Sequence, residues 1–175
     1  MPRPRPTRHR QHTHSPVRRM SRRLRWTDRM AELRRLDMRR TLPFPREDVF
    51  DLVADVERYP DYLPGWQAAR ILERDGTSLV VEQELGGFGI RQRFNTRAQL
   101  ERPTLITIEG DQAPFRSLHQ TWTFNALGER STELRFQVEY ALRGRLLSRL
   151  VDRLCQHVFR ETMEAFAQRA RTRLR

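Results

Sequence analysis

Lysine is absent from the 175 residues, so all 34 side chains in the combined Lys and Arg count are arginines. That excludes a Schiff-base lysine and the lysine of a phosphate-binding P-loop. Cysteine occurs once, at Cys155, which excludes an internal disulfide and a cysteine-based zinc site and suits a reducing compartment. No apolar run approaches the ~20 residues that cross a bilayer. The arginine-rich start is not followed by the apolar stretch of a secretory signal, and the pairs Arg18-Arg19 and Arg22-Arg23 fail as a twin-arginine signal for the same reason. Acids are missing from residues 1–27, which hold nine Arg; the remaining 25 Arg face all 22 Asp and Glu. The net charge of +12 therefore belongs mostly to the N-terminal stretch. These absences lead us to expect a soluble, cytoplasmic protein, with peripheral contact at the inner membrane left open.

Residues 1–30, rich in Arg, Pro and His, have almost nothing to bury and are expected to form a disordered basic tail. RNA or anionic lipid contact through its charge, a transit-peptide role, and metal ligation by His9, His12 and His14 are competing readings, and the solvated tail is preferred. Residues 31–175 read as one domain. "LRRLDMRRTLPF" is a first strand and "PREDVFDLVADV" a short helix, with Pro45 at its start and acids in its first turn. Between Asp55 and Trp66, "DVERYPDYLPGW", two prolines argue against any regular element. Six strands follow, divided by turn signals such as Asp75-Gly76, Gly86-Gly87 and Gly128-Glu129. Leu134, Phe136, Val138, Tyr140 and Leu142 alternate with polar residues, as half-buried antiparallel strands require.

The last 31 residues, 145–175, carry apolar side chains at three- and four-residue spacing, from Leu146, Leu147 and Leu150 through Leu154, Val158 and Met163 to Ala170. Burial of each large one contributes about 1.5–3 kcal/mol, so this helix must lie on the sheet. Strand, helix, antiparallel strands and a closing helix make an α+β helix-grip, an architecture that leaves a cavity between helix and sheet.

No catalytic constellation stands out: His119 belongs on the outer sheet face, His157 late on the helix, and Cys155 on its apolar stripe. "GGFG" at 86–89 lacks the spacing and lysine of a phosphate loop and reads as a turn with an exposed Phe88. Arg91, Arg93 and Arg97, interleaved with Glu82 and Glu84, read as a salt-bridged outer face rather than a nucleic-acid groove, and no DNA partner is expected. More telling, Gln83, Gln92 and Gln120 fall on the inward parity among Leu, Val, Phe and Trp. A buried amide without a partner costs about 1–3 kcal/mol, so each needs a neighbouring group, a water or a ligand.

Val53 to Val56, Tyr59-Pro60 and Leu63-Pro64, with "ARILERDG" (69–76), Trp122, Phe124 and "ETMEAFAQRA" (161–170), closely resemble the coenzyme Q-binding START-like proteins. These are relatives of the polyketide cyclase/dehydrase superfamily and of the bacterial ribosome association toxin. The family often reads Leu-Pro-Trp-Cys where this chain reads Leu63-Pro64-Gly65-Trp66. The resemblance implies a non-enzymatic lipid-binding domain that escorts ubiquinone or a similar polyprenyl lipid in support of respiration, with no cofactor, metal or catalytic residue. A ribosome-binding protein and a cyclase- or dehydratase-like enzyme are the alternatives. On this reading the turn from Tyr59 to Trp66 caps one end of the cavity, with Tyr62, Leu63 and Trp66 as its ligand-binding residues. Val81, Leu85, Phe94, Trp122, Phe136 and Val138 from the sheet, with Leu150, Leu154 and Val158 from the helix, form an apolar slot. Gln83, Gln92 and Gln120 donate to the quinone carbonyls, with Tyr140 and Trp66 as second choices.

Overall fold

The computed structural model describes residues 33–144 and 148–174. The basic segment 1–30, with its three histidines, and Leu146 and Leu147 lie outside the described residues. Alternating apolar and polar side chains build seven strands: β1 (Arg34–Leu42), β2 (Trp66–Asp75), β3 (Ser78–Gly87), β4 (Ile90–Glu101), β5 (Leu105–Gly110), β6 (Phe115–Gly128) and β7 (Ser131–Leu142). They pair antiparallel in the order β1-β7-β6-β5-β4-β3-β2. β2 to β7 are thus a continuous meander, and β1 comes back to lie beside the last strand, with Arg34 opposite Tyr140 and Leu42 opposite Thr132. Gly76 holds a φ of +54° between β2 and β3, the left-handed geometry that the Asp-Gly turn signals.

Helix α1 (Arg46–Ala54) starts after Pro45, carries Glu47 and Asp48 in its first turn, and buries Val49, Phe50 and Val53. The next stretch departs from the expectation of irregular chain. Val56–Asp61 forms a short 3-10 helix that contains Pro60. Its hydrogen bonds fall on either side of the proline: Arg58 N–H donates to the Asp55 carbonyl, and the Tyr62 and Leu63 N–H groups to that of Tyr59. The missing proline N–H therefore breaks nothing.

Helix α2 (Ser148–Arg173) lies across the sheet. Val151, Leu154, Cys155, Val158, Phe159, Met163, Phe166, Ala167 and Ala170 are all buried beneath it. Leu150, expected in this row, is instead 41 % exposed. Val151 is the residue that opens the buried row, and Leu150, one position earlier, is rotated by a further 100° or so out of contact. The layers form the expected α+β helix-grip. Among the described residues no helix is long and apolar enough to cross a membrane.

Candidate functional site

Alternation along four neighbouring strands aims one set of side chains at a common space. Leu79, Val81 and Gln83 of β3, Thr96, Ala98 and Leu100 of β4, Ile106 and Ile108 of β5, and Gln120 and Trp122 of β6 line it. Phe136, Trp66 and Thr162 complete the floor, while Val53, Ala54, Val56 and Tyr59 form a wall where α1 passes into the 3-10 helix. The enclosed free volume is about 40 Å³. That holds one or two waters, far below the roughly 300–1,000 Å³ of a pocket closed around a ligand.

Three polar side chains cross the chamber wall as a relay. The Trp66 indole N–H donates to Gln83 Oε1 at 3.1 Å, and Gln83 Nε2 donates to Thr96 Oγ1 at 2.7 Å. An indole can only donate, so the amide oxygen must face Trp66 and the amide nitrogen Thr96. The register explains the reach: Gln83 sits opposite Phe94, so Thr96 is its diagonal neighbour on the same face. Thr162 donates to the Val158 carbonyl one turn back on α2. The Tyr59 hydroxyl donates to the Val53 carbonyl at 2.5 Å, and burial raises its pKa well above the usual tyrosine value. Gln120 makes no hydrogen bond among the described residues and faces the chamber with its amide unengaged.

Six of the expected ligand residues therefore meet around one space: Trp66, Val81, Gln83, Gln120, Trp122 and Phe136. The others are placed elsewhere. Val138, Tyr140, Leu154, Val158, Leu85 and Phe94 are buried but belong to solid core. There Phe94 packs edge-on to Phe115 (4.9 Å between centroids), and Phe159 on Tyr140 (5.6 Å) and on the chamber-lining Phe136 (6.1 Å). The Tyr140 hydroxyl donates to Asp152 Oδ1 at 2.8 Å, so it is already engaged as a donor. Gln92 shares the inward parity but lies near the start of β4, half-buried, with its amide on the Arg91 carbonyl. Leu63 is buried beside the chamber, and Leu150 is exposed. Tyr62 lies outside it in a surface groove beside Asp55, with its hydroxyl unpartnered and the Arg169 guanidinium 4.9 Å over its ring; burial, opposed by Arg169, raises its pKa.

Tyr59 was expected in the turn that caps the cavity and Val53 to Val56 in the helix before it; that they line one wall together was not, because the prolines masked the 3-10 helix that carries Val56 and Tyr59. Thr96 was legible: it carries a polar group on the same inward parity as Gln83. His119 and the paired arginines lie on the outer face as expected, with Arg93 and Arg91 both on Glu84 (2.9 and 3.5 Å). Among the described residues no three His, Cys, Asp or Glu side chains are grouped as metal ligands.

The model of the family "Polyketide cyclase / dehydrase and lipid transport" matches residues 42–167. The Ribosome association toxin RatA of Pseudomonas aeruginosa is 33% identical over 130 residues, covering 74% of this chain and 90% of the relative. Among solved structures, the ZhuI aromatase/cyclase from Streptomyces sp. R1128 aligns with a TM-score of 0.73 and 19% identity, over 82% of this chain and 96% of the other. A STAR-related lipid transfer protein (fragment 25–204) from Xanthomonas axonopodis aligns at 0.66 and 14% identity, over 78% and 85%.

Proposed function

Because this chain belongs to the polyketide cyclase/dehydrase and lipid transport family, its chamber is the place to seek function, and we propose that it binds a polyprenyl quinone or similar lipid without acting on it. The observation that carries this reading is the lining itself. Thirteen of the seventeen described residues around the space are apolar or aromatic, and the polar remainder is Gln83, Gln120, Thr96 and Thr162. A quinone ring carries two carbonyls that accept hydrogen bonds and donate none. Gln120 offers free amide N–H donors beside an apolar run, which is the complement of such a ring. Cyclase chemistry instead calls for an acid or base in the wall. Among the described residues the sole titratable lining side chain is Tyr59, whose proton is committed to the Val53 carbonyl.

The free space in this form is smaller than a quinone ring, so binding requires the lining to open further. Trp66 and Trp122 both line the space, so a short-tailed ubiquinone analogue should quench their fluorescence saturably. Gln120→Leu keeps the volume but removes the donor, and is expected to weaken binding about 2- to 13-fold, the 0.5–1.5 kcal/mol of one neutral hydrogen bond. Absence of saturable quenching in the unaltered protein would sink the quinone reading.

The relatedness to RatA supports a second reading, association with the ribosome. Salt-dependent co-sedimentation with ribosomal subunits, undiminished by Gln120→Leu, would favour it.

A further inference from the structure

Phe88 is the one described non-glycine residue with a positive φ, +52°. A phenylalanine in this left-handed region is disfavoured, and turns that need it normally use Gly or Asn. Here Gly86, Gly87 and Gly89 surround it, yet the aromatic residue occupies the tip, with 47 % of its surface exposed. Its ring rests on two side chains of α2: His157 meets it edge-on at 5.8 Å, and the Arg153 guanidinium lies 4.9 Å over its face. One helical turn before Arg153 comes Leu150, the residue that escaped the sheet and is 41 % exposed. Two large apolar side chains thus stand out at the same end of the molecule.

Around them basic side chains predominate. Arg149, Arg153 and Arg160 are exposed on this side of α2 and make no ion pair among the described residues. Asp152 is turned inward to the Tyr140 hydroxyl and Gln156, and Arg91 shares Glu84 with Arg93. Glu161, at the far end of the stripe, is the acid left on this face. An apolar tip ringed by unpaired arginines is the pattern of a surface that inserts shallowly among acyl chains while its cations meet anionic headgroups.

We infer that the β3–β4 tip and the first turns of α2 form a docking surface for an anionic lipid bilayer, with Phe88 and Leu150 as the inserting residues. A nucleic acid fits this surface less well. One face of the Phe88 ring is already covered by Arg153, and an aliphatic Leu150 contributes nothing to phosphates or bases. The inference rests on the surface alone and holds whatever the chamber binds.

The full chain should co-sediment with vesicles of phosphatidylcholine and phosphatidylglycerol, and much less with phosphatidylcholine alone. Phe88→Asn relieves the backbone while removing the ring. With Leu150→Asn it should lower partition onto anionic vesicles about tenfold or more at an unchanged melting temperature. Arg149→Gln with Arg153→Gln should lessen the preference for the anionic lipid. Phe88→Trp should shift its emission to the blue on vesicle addition. The inference is overturned if the Phe88→Asn, Leu150→Asn protein partitions like the unaltered one, since the basic N-terminal segment would then account for binding. It is equally overturned if those substitutions weaken binding to RNA while neither protein binds vesicles.

Discussion

Gln83 and Gln120 occupy the same face of the sheet and line the same space, yet their amides are in opposite situations. Gln83 holds two partners, Trp66 and Thr96, and is only 7 % exposed. Gln83→Leu would strand both, so it should destabilise the fold by about 1–3 kcal/mol in urea unfolding. Gln120→Leu breaks no internal bond and should change the midpoint little. If both variants unfold alike, the relay does not hold the wall. At the same scale, burial raises the Cys155 thiol, helped by the nearby Asp152 carboxylate, to about 12. At neutral pH it should resist thiol reagents in the native protein and react at once in denaturant; fast labelling of the folded chain would contradict this. Parity alone could mark the inward glutamines, because an amide amid Val and Phe is visible in sequence. Parity could not say which amide had found a partner, since that depends on register between strands, and the register was not legible.

The helices show where period reading succeeds and where it stops. From Val151 to Ala170 the 3.6-residue spacing matches the buried row of α2. At Leu150 it fails, because an apolar residue near a helix start continues the count whether or not the sheet still lies beneath it. Leu150→Asp should therefore leave stability within about 0.5 kcal/mol. Leu154→Asp, whose side chain is 1 % exposed and reaches toward Gly87, should unfold the domain or leave it without cooperative melting. Equal stability of the two variants would show that the helix face has been assigned wrongly. The Pro60 segment was the converse case. Proline argues against an α-helix, but a six-residue 3-10 helix needs so few hydrogen bonds that the lost donor goes unnoticed. The regular geometry of the Val56 and Tyr59 part of the chamber wall was hidden in the sequence for that reason.

At the scale of the whole chain, strand number, order of elements and helix-grip class all followed from alternation, turn residues and one long amphipathic segment. The position of the free space did not. It depends on side-chain volumes: Phe115, Tyr140 and Phe159 pack on one another, and smaller Leu79, Val81 and Ala98 leave room near β3 and β4 beside Trp66, Trp122 and Phe136. Such a balance of volumes is a three-dimensional quantity that no pattern along the chain records. The described sheet begins at Arg34, and residues 1–30 supply no apolar face. Their deletion should accordingly shift the melting temperature by no more than a few degrees, and a larger loss would mean that this segment packs on the domain.

The pairing of β1 with β7 also orders events in time. Asp37 and Arg135, joined at 2.9 and 2.5 Å, are 98 residues apart in the chain. Bringing ends so distant together costs on the order of 4 kcal/mol of chain entropy before any contact is returned. The six-strand meander asks for no such closure and can zip hairpin by hairpin. During synthesis, β1 leaves the ribosome first but finds its neighbour almost last. α2, which covers the apolar face, is made later still. A partly made chain therefore holds an unpaired strand and an uncovered sheet together, and the interval before Leu142 and Arg173 emerge is when this protein is most exposed to misassociation.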